Sequence, residues 1–289
     1  MCDELQYTEL LRGLLRKYDA GGVRETRDGA RTVSCFGEQM RFDLSDNKLP
    51  LLTTKKVWYR AVLEELLWFM RGSTDTSELK EKGINIWNGH SSRKWLDAVG
   101  LSHVPEGHIG RGYGAQWRRV EGNDQLTEAL RKLREDPFSR RNVVCAWNPS
   151  ELSEMALPPC HMSFQFYVDD DGKGLRLHLY QRSADVGLGL PFNIASYATL
   201  AHIMAAMSGL EARELVMSFG DVHIYEGHVE TLRVQAMREP LALTPFRLRI
   251  KNVWPTFEEY ASDDFEVVEI SESANVMSMG HKIKMPLII

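Results

Sequence analysis

Apolar side chains set the rhythm of this chain, and that rhythm changes several times along it. Tyr7, Leu10, Leu11, Leu14, Leu15 and Tyr18 recur at the spacing of one helix face, and Gly21-Gly22 stop the helix. Over 31–44 the period falls to two, with Val33, Cys35, Met40 and Phe42 on alternate positions, which predicts one or two strands. Residues 57–70 predict a second helix, apolar on most of its surface through Val62, Leu63, Leu66, Leu67, Trp68 and Phe69. A helix that apolar belongs in a core, so a carboxylate on it needs a special reason. Between 83 and 122 periodicity fades and Gly, Trp, His and Arg accumulate, the composition of long ordered loops that carry ligand groups.

The pattern then resumes. Leu126, Leu130 and Leu133 mark a helix ended by Asp136-Pro137, and 142–147 reads as a strand. Residues 161–168 and 175–181 predict a hairpin across Asp169-Asp170-Asp171-Gly172. An Ala- and Met-rich buried helix follows over 192–207, then a strand over 215–219 and a helix over 225–237 before Pro240. Short strands and turns alternate to the end. With no repeat, low-complexity tract or linker, the expectation is one α+β domain spanning 1–289.

Composition narrows the function. At 289 residues and 43% hydrophobic, the chain can bury a large core. A net charge of -5 disfavours non-specific nucleic-acid binding while leaving room for a local basic pocket. Cys2, Cys35, Cys145 and Cys160 are widely spaced, without metal-ligand spacing, so no metal is expected. With no signal peptide and no membrane-length apolar run, a reduced cytoplasmic setting fits best.

Candidate chemistry centres on Cys160. Pro158 and Pro159 fix two φ angles and remove two backbone donors before it, so the thiol is held on a stiff support, as a nucleophile requires. Arg182-Ser183 offers a fork and a hydroxyl for a phosphate, with a strand-end salt bridge as the ordinary explanation. Arg140-Arg141 is a solvated pair or a second anion grip. If these arginines converge on Cys160, they also favour its thiolate. Asn193 opens a buried helix, as an N-cap would, yet its amide also complements a flat imide such as uracil, and Gly189 lets a ring approach the backbone. His223 and Tyr225 alternate on an extended segment and suit a sugar hydroxyl. One of Glu64 and Glu65 falls on an apolar helix face, either as a buried ion pair or as an acid with a raised pKa.

These residues stand in a recognisable order. Pro158-Pro159-Cys160-His161, Gln181-Arg182-Ser183-Ala184-Asp185, Gly189-Leu190-Pro191-Phe192-Asn193-Ile194-Ala195-Ser196-Tyr197 and Gly220-Asp221-Val222-His223-Ile224-Tyr225 resemble the motifs of thymidylate synthases. Glu65-Leu66-Leu67-Trp68-Phe69, Ser139-Arg140-Arg141, Ala146-Trp147-Asn148-Pro149 and Ile283-Lys284-Met285-Pro286 match as well. The resemblance implies conversion of dUMP to dTMP with 5,10-methylenetetrahydrofolate as one-carbon and hydride donor, by a chain without a fused reductase. It implies a large mixed sheet packed by helices, with one sheet face forming a homodimer interface.

By that resemblance Cys160 adds to C6 of the uracil, Glu65 handles protons at O4, and Tyr113 assists removal of the C5 proton. Asn193 reads N3 and O4, and Asp185 contacts the pterin. His161 is expected to be supportive rather than essential. Arg27, Gln181, Arg182 and Ser183 would hold dUMP, joined by Arg140 and Arg141 of the other subunit, with His223 and Tyr225 on the deoxyribose. Lys55, Ile86, Trp87, Asp185, Leu188, Gly189, Phe192 and Ile288 would line the folate pocket, with Lys55 and Lys56 facing the glutamate tail. Three segments depart from the usual pattern: 27–32, Asn88-Gly89-His90 after Trp87, and 108–114, where His108 and Arg111-Gly112 replace an acid and a proline-valine pair. A dUMP hydroxymethylase is the sister activity, disfavoured by Trp87 and the tail, and Asn193 disfavours a cytosine substrate. A non-catalytic RNA-binding relative is disfavoured by the retained Cys160, Glu65, Arg182 and Asn193.

Overall fold

The computed structural model describes residues 3–26, 29–270 and 285. The first helix α1 (Asp3–Asp19) leads to β1 (Arg24–Glu25), β2 (Arg31–Phe36) and β3 (Gln39–Asp43). The helices α2 (Tyr59–Met70), α3 (Ser77–Glu81), α4 (Arg93–Ala98), α5 (Gly114–Arg118) and α6 (Gln125–Glu135) follow. The strands β4 (Val143–Cys145), β5 (His161–Val168) and β6 (Gly174–Asp185) precede the long helix α7 (Gly189–Ser208). The chain continues through β7 (Glu211–Tyr225), α8 (Val229–Ala236), β8 (Phe246–Ile250) and β9 (Phe265–Glu269).

Seven strands form one mixed sheet in the order β1-β2-β7-β6-β5-β4, with β3 also on β7, and β8–β9 form a separate pair. Every ladder is antiparallel except β6–β7. A parallel pair needs a crossover, and α7 supplies it. β2 and β3 act as one long partner of β7, broken only at Gly37-Glu38, where Gly37 N–H donates to Gly220 O and Phe219 N–H to Glu38 O. The alternation read in the sequence over 31–44 is therefore one interrupted ladder.

α7 is apolar all round because both of its sides are covered, by the sheet on one side and by α2 on the other. Its end is set by Gly209, at φ 74. The opposite sheet face is not covered in this way. It presents Tyr167 and Tyr180, 54% and 41% exposed, among charged side chains that include Arg41, Arg176 and Glu214. Among the described residues, no helix is long and apolar enough to cross a membrane.

The parallel ladder positions the chemistry. Its register sets Ser183 beside Asp221 and Asp185 beside His223. Just before these pairs the backbones run close: a Cβ on Gly220 would lie 2.7 Å from the Arg182 carbonyl oxygen, so only glycine fits opposite that arginine.

Candidate active site

Cys160 precedes β5 at the end of an extended arch, and Arg182 on the neighbouring strand holds that arch. Its guanidinium donates to Pro158 O at 2.8 Å and Pro159 O at 2.9 Å, while its own N–H donates to Cys160 O at 2.8 Å. The guanidinium carbon also sits 5.3 Å from the Trp147 ring centre. The Pro158 and Pro159 carbonyls lie before the β5 ladder begins at His161, so a planar fork meets a local need as well as presenting positive charge. The Cys160 N–H donates to Tyr113 Oη at 2.9 Å. Burial raises the thiol above its ordinary value; the Arg182 charge and the Tyr113 hydroxyl oppose that rise.

Glu64 and Glu65 divide the two expected fates between them. Glu64, 1% exposed, is ion-paired to Lys82 at 2.6 Å. Glu65 instead accepts a hydrogen bond from Trp87 Nε1 at 2.7 Å. Burial pushes its carboxyl up to about 7, against the lowering effect of that bond. Trp87 packs at 5.8 Å from Tyr113, and Tyr113 stacks on His161 with centroids 4.1 Å apart. Glu65, Trp87, Tyr113, Cys160 and His161 thus form one connected cluster. Burial holds the His161 imidazole down at about 3, so it is neutral, and Tyr197 Oη fixes its orientation at 2.7 Å from Nδ1. Tyr113 itself has φ 24, an uncommon backbone for a bulky residue, with glycines on either side.

Asn193 does not cap α7. It lies inside the helix, and the preceding Leu188 makes no side-chain cap. Its Oδ1 accepts from Gln181 Nε2 at 3.0 Å, and Gln181 also donates to Ser183 O. Gln181 Oε1 is buried with no partner among the described residues, a polar atom awaiting a donor. Gly189 lies between Asn193 and Asp185: a Cβ there would be 3.9 Å from the Asn193 oxygen and from the Asp185 Cβ.

Asp185 Oδ1 accepts the Gly187 N–H at 2.8 Å, and Lys55 Nζ donates to Gly187 O. Lys55 is only 7% exposed, and burial brings its ammonium down to about 8 despite the Asp185 charge. Met285 of the tail reaches this point, with its sulfur 3.3 Å from where a Gly187 Cβ would stand. Ile86, Trp87, Leu188 and Phe192 provide partly or fully buried apolar surface. A carboxylate, an ammonium and flat apolar side chains make a donor set that fits a reduced folate, with its amide-bearing ring and carboxylate tail.

On β7, His223 Nδ1 lies 2.9 Å from Asp221 Oδ1, and the imidazole meets Tyr225 edge-on at 5.3 Å. Asp221 was not predicted as a site residue. Its position two before His223 on a strand places both on one face, which was the available signal. Tyr197 and Trp147 were likewise missed, because their roles come from side chains distant in sequence. Arg140 and Arg141 are exposed after α6, and among the described residues neither guanidinium has a partner or reaches the Cys160 cluster. His90 packs edge-on against Trp87 and Trp95 at 6.0 and 5.0 Å, so that variant position does adjoin the pocket wall. Arg27 and Ile288 lie outside the described residues.

A family model described as thymidylate synthase matches residues 5–280. The chain is 44% identical over 285 residues to a thymidylate synthase from Agaricus bisporus, covering 92% of this chain and 95% of that one. It is 43% identical over 278 residues to the thymidylate synthase of Homo sapiens, covering 91% and 86% respectively. A bifunctional dihydrofolate reductase-thymidylate synthase from Leishmania major is 45% identical over 280 residues. The chain spans 92% of itself but only 53% of that longer relative.

Proposed function

The chain belongs to the thymidylate synthase family, an enzyme of the methyltransferase class, and from that premise we propose that it converts dUMP to dTMP through a covalent bond to Cys160. 5,10-Methylenetetrahydrofolate, as second substrate, supplies the one-carbon unit and the hydride and leaves as dihydrofolate.

The carrying observation is how Cys160 is held: one arginine secures both preceding proline carbonyls, and a tyrosine hydroxyl secures its amide. A sulfur so fixed meets C6 of a bound uracil with little reorganisation. The thiol must first lose its proton, and the Arg182 charge favours that loss. Addition at C6 breaks the C5–C6 double bond and moves electron density towards C5 and O4. Glu65, whose carboxyl titrates near 7, supplies a proton on the O4 side. Asn193, fixed by Gln181, matches the N3–O4 edge of uracil, and Tyr113 stands where the C5 proton leaves. His223 and Tyr225 hold the 3′-hydroxyl, while Arg182, Ser183 and Arg27 take the phosphate. Asp185, Lys55, Ile86, Trp87, Leu188, Gly189, Phe192 and Ile288 receive the folate. Apolar walls there exclude water during hydride transfer.

We further read the exposed sheet face as the homodimer interface, with Arg140 and Arg141 serving the partner's site. The reading is supported by the exposure of both arginines and by the lack of a guanidinium partner for either among the described residues.

Incubation with dUMP and the folate tests the whole reading. Equal amounts of dTMP and dihydrofolate are expected; hydroxymethyl-dUMP as the main product would overturn it. Cys160→Ala should lower turnover by about 10⁴-fold or more while leaving dUMP binding measurable. Mass spectrometry after trapping with 5-fluoro-dUMP should find the nucleotide on Cys160 and nowhere else.

A further inference from the structure

We infer that the first two turns of α1, through Glu4 and Tyr7, position the folate side of the pocket by clamping from behind the two segments that carry Lys55 and Asp185. The inference rests on the folate reading of that pocket.

Glu4 is 7% exposed, and four hydrogen bonds converge on its carboxylate. Oε2 accepts from Thr53 N–H at 2.8 Å and Thr53 Oγ1 at 2.6 Å. Oε1 accepts from Thr54 N–H at 2.9 Å and Thr54 Oγ1 at 2.6 Å. All four partners are donors, so only an acceptor at both oxygens satisfies them, which is a carboxylate. The clamped pair immediately precedes Lys55.

One turn further along the same face, Tyr7 is fully buried and its hydroxyl donates to Val186 O at 2.8 Å. Val186 stands between Asp185 and Gly187, and Gly187 O is where Lys55 Nζ donates. Gln235 Nε2 ties the two arms together, at 3.3 Å from both Tyr7 Oη and Thr54 Oγ1. The free faces of the threonines are used too: Leu241 N–H donates to Thr53 Oγ1 at 3.1 Å, and Arg238 donates to Thr54 O at 2.6 Å. Every hydroxyl in the network both donates and accepts.

The arrangement has a directional consequence. Neither Glu4 nor Tyr7 contacts the Cys160 cluster or the dUMP side chains in any described hydrogen bond. Both act on the relative position of one ammonium and one carboxylate. A displacement of these two groups weakens folate binding while leaving the nucleotide and the nucleophile in place.

The test is steady-state kinetics of Glu4→Gln and Tyr7→Phe against both substrates, with dUMP affinity also measured by direct titration. Glu4→Gln turns an acceptor into a donor facing donors, and should raise the folate KM about tenfold or more. Its kcat, dUMP KM and dUMP affinity should stay within about threefold of the wild type. Tyr7→Phe keeps the shape and loses one hydroxyl, and should shift the folate KM the same way by about threefold; it decides the matter if Glu4→Gln does not fold. Folate and dUMP constants that deteriorate together, or a folate KM that does not move in either variant, would overturn the inference. A wild-type enzyme that makes no dTMP would instead overturn the folate reading beneath it.

Discussion

Two adjacent carboxylates show how much a single position decides. Neighbours on a helix point about 100° apart, so Glu64 faces Lys82 and Glu65 faces the Trp87 indole. The sequence said that one of them sat on an apolar face, but their partners lie 18 and 22 residues further on, beyond any local pattern. Asn193 differs for a related reason: the helix begins at Gly189, three residues before the predicted start at 192, so a residue that reads as a cap lies inside it and is held by Gln181. Glu65 also has a measurable signature. Its carboxyl is raised from 4.5 to about 7, so across that window the folded chain keeps a proton that the unfolded chain has released. Stability must therefore fall as pH rises from about 4.5 through 7. Glu65→Gln has no such titration. Relative to wild type it should gain on the order of 2 kcal/mol between pH 5 and pH 8, allowing for water that reaches this partly open side chain. Urea unfolding at the two pH values measures this, and a difference that is the same at both would mean that the carboxyl titrates normally.

Among the elements, strands with strict alternation and helices with one apolar stripe were readable from the chain: α1, the β2–β3 ladder, the β5–β6 hairpin and α6 stand where the periods put them. β7 is three times the length of the run predicted for it: its second half keeps strict alternation, with Val222 and Ile224 buried, but the intervening Asp221, His223 and Tyr225 read as site residues rather than as one face of a strand. The segment over 83–122 hid two short helices, α4 and α5, of six and five residues. Helices so short have no period of their own and form through contacts. For α5 the contact is a close crossing over α2. A Cβ on Gly114 would meet Phe69 O at 2.8 Å and Phe69 Cα at 3.0 Å, backbone atoms that cannot rotate aside. Gly114→Ala should therefore cost about 2–3 kcal/mol, seen as a lower denaturation midpoint. Because Tyr113 is the next residue, turnover should fall as well. An unchanged midpoint would mean that the two helices can separate without penalty.

For the whole molecule, the sequence conveyed one α+β domain and the order of its site residues, but not the parallel β6–β7 register that gathers them, since strand neighbours leave no local trace. The arginine pair follows the same logic one level higher. Arg140 and Arg141 are exposed and their guanidinium groups are unpartnered among the described residues, while the charge that acts on the Cys160 thiol is that of Arg182. If two chains pair through the exposed sheet face and exchange these arginines, each site draws its nucleophile from one chain and part of its phosphate grip from the other. Arg140→Ala and Cys160→Ala would then each be nearly inactive alone, yet complement on mixing. After subunit exchange at equal amounts, half of the dimers are mixed, and each mixed dimer holds one complete site. The mixture should recover about one quarter of wild-type activity. Arginines that served their own chain would give no complete site in any dimer, and the mixture would stay at the average of the two variants. Titrating one variant against the other separates these outcomes, since only an exchanged pair gives a maximum at equal proportions.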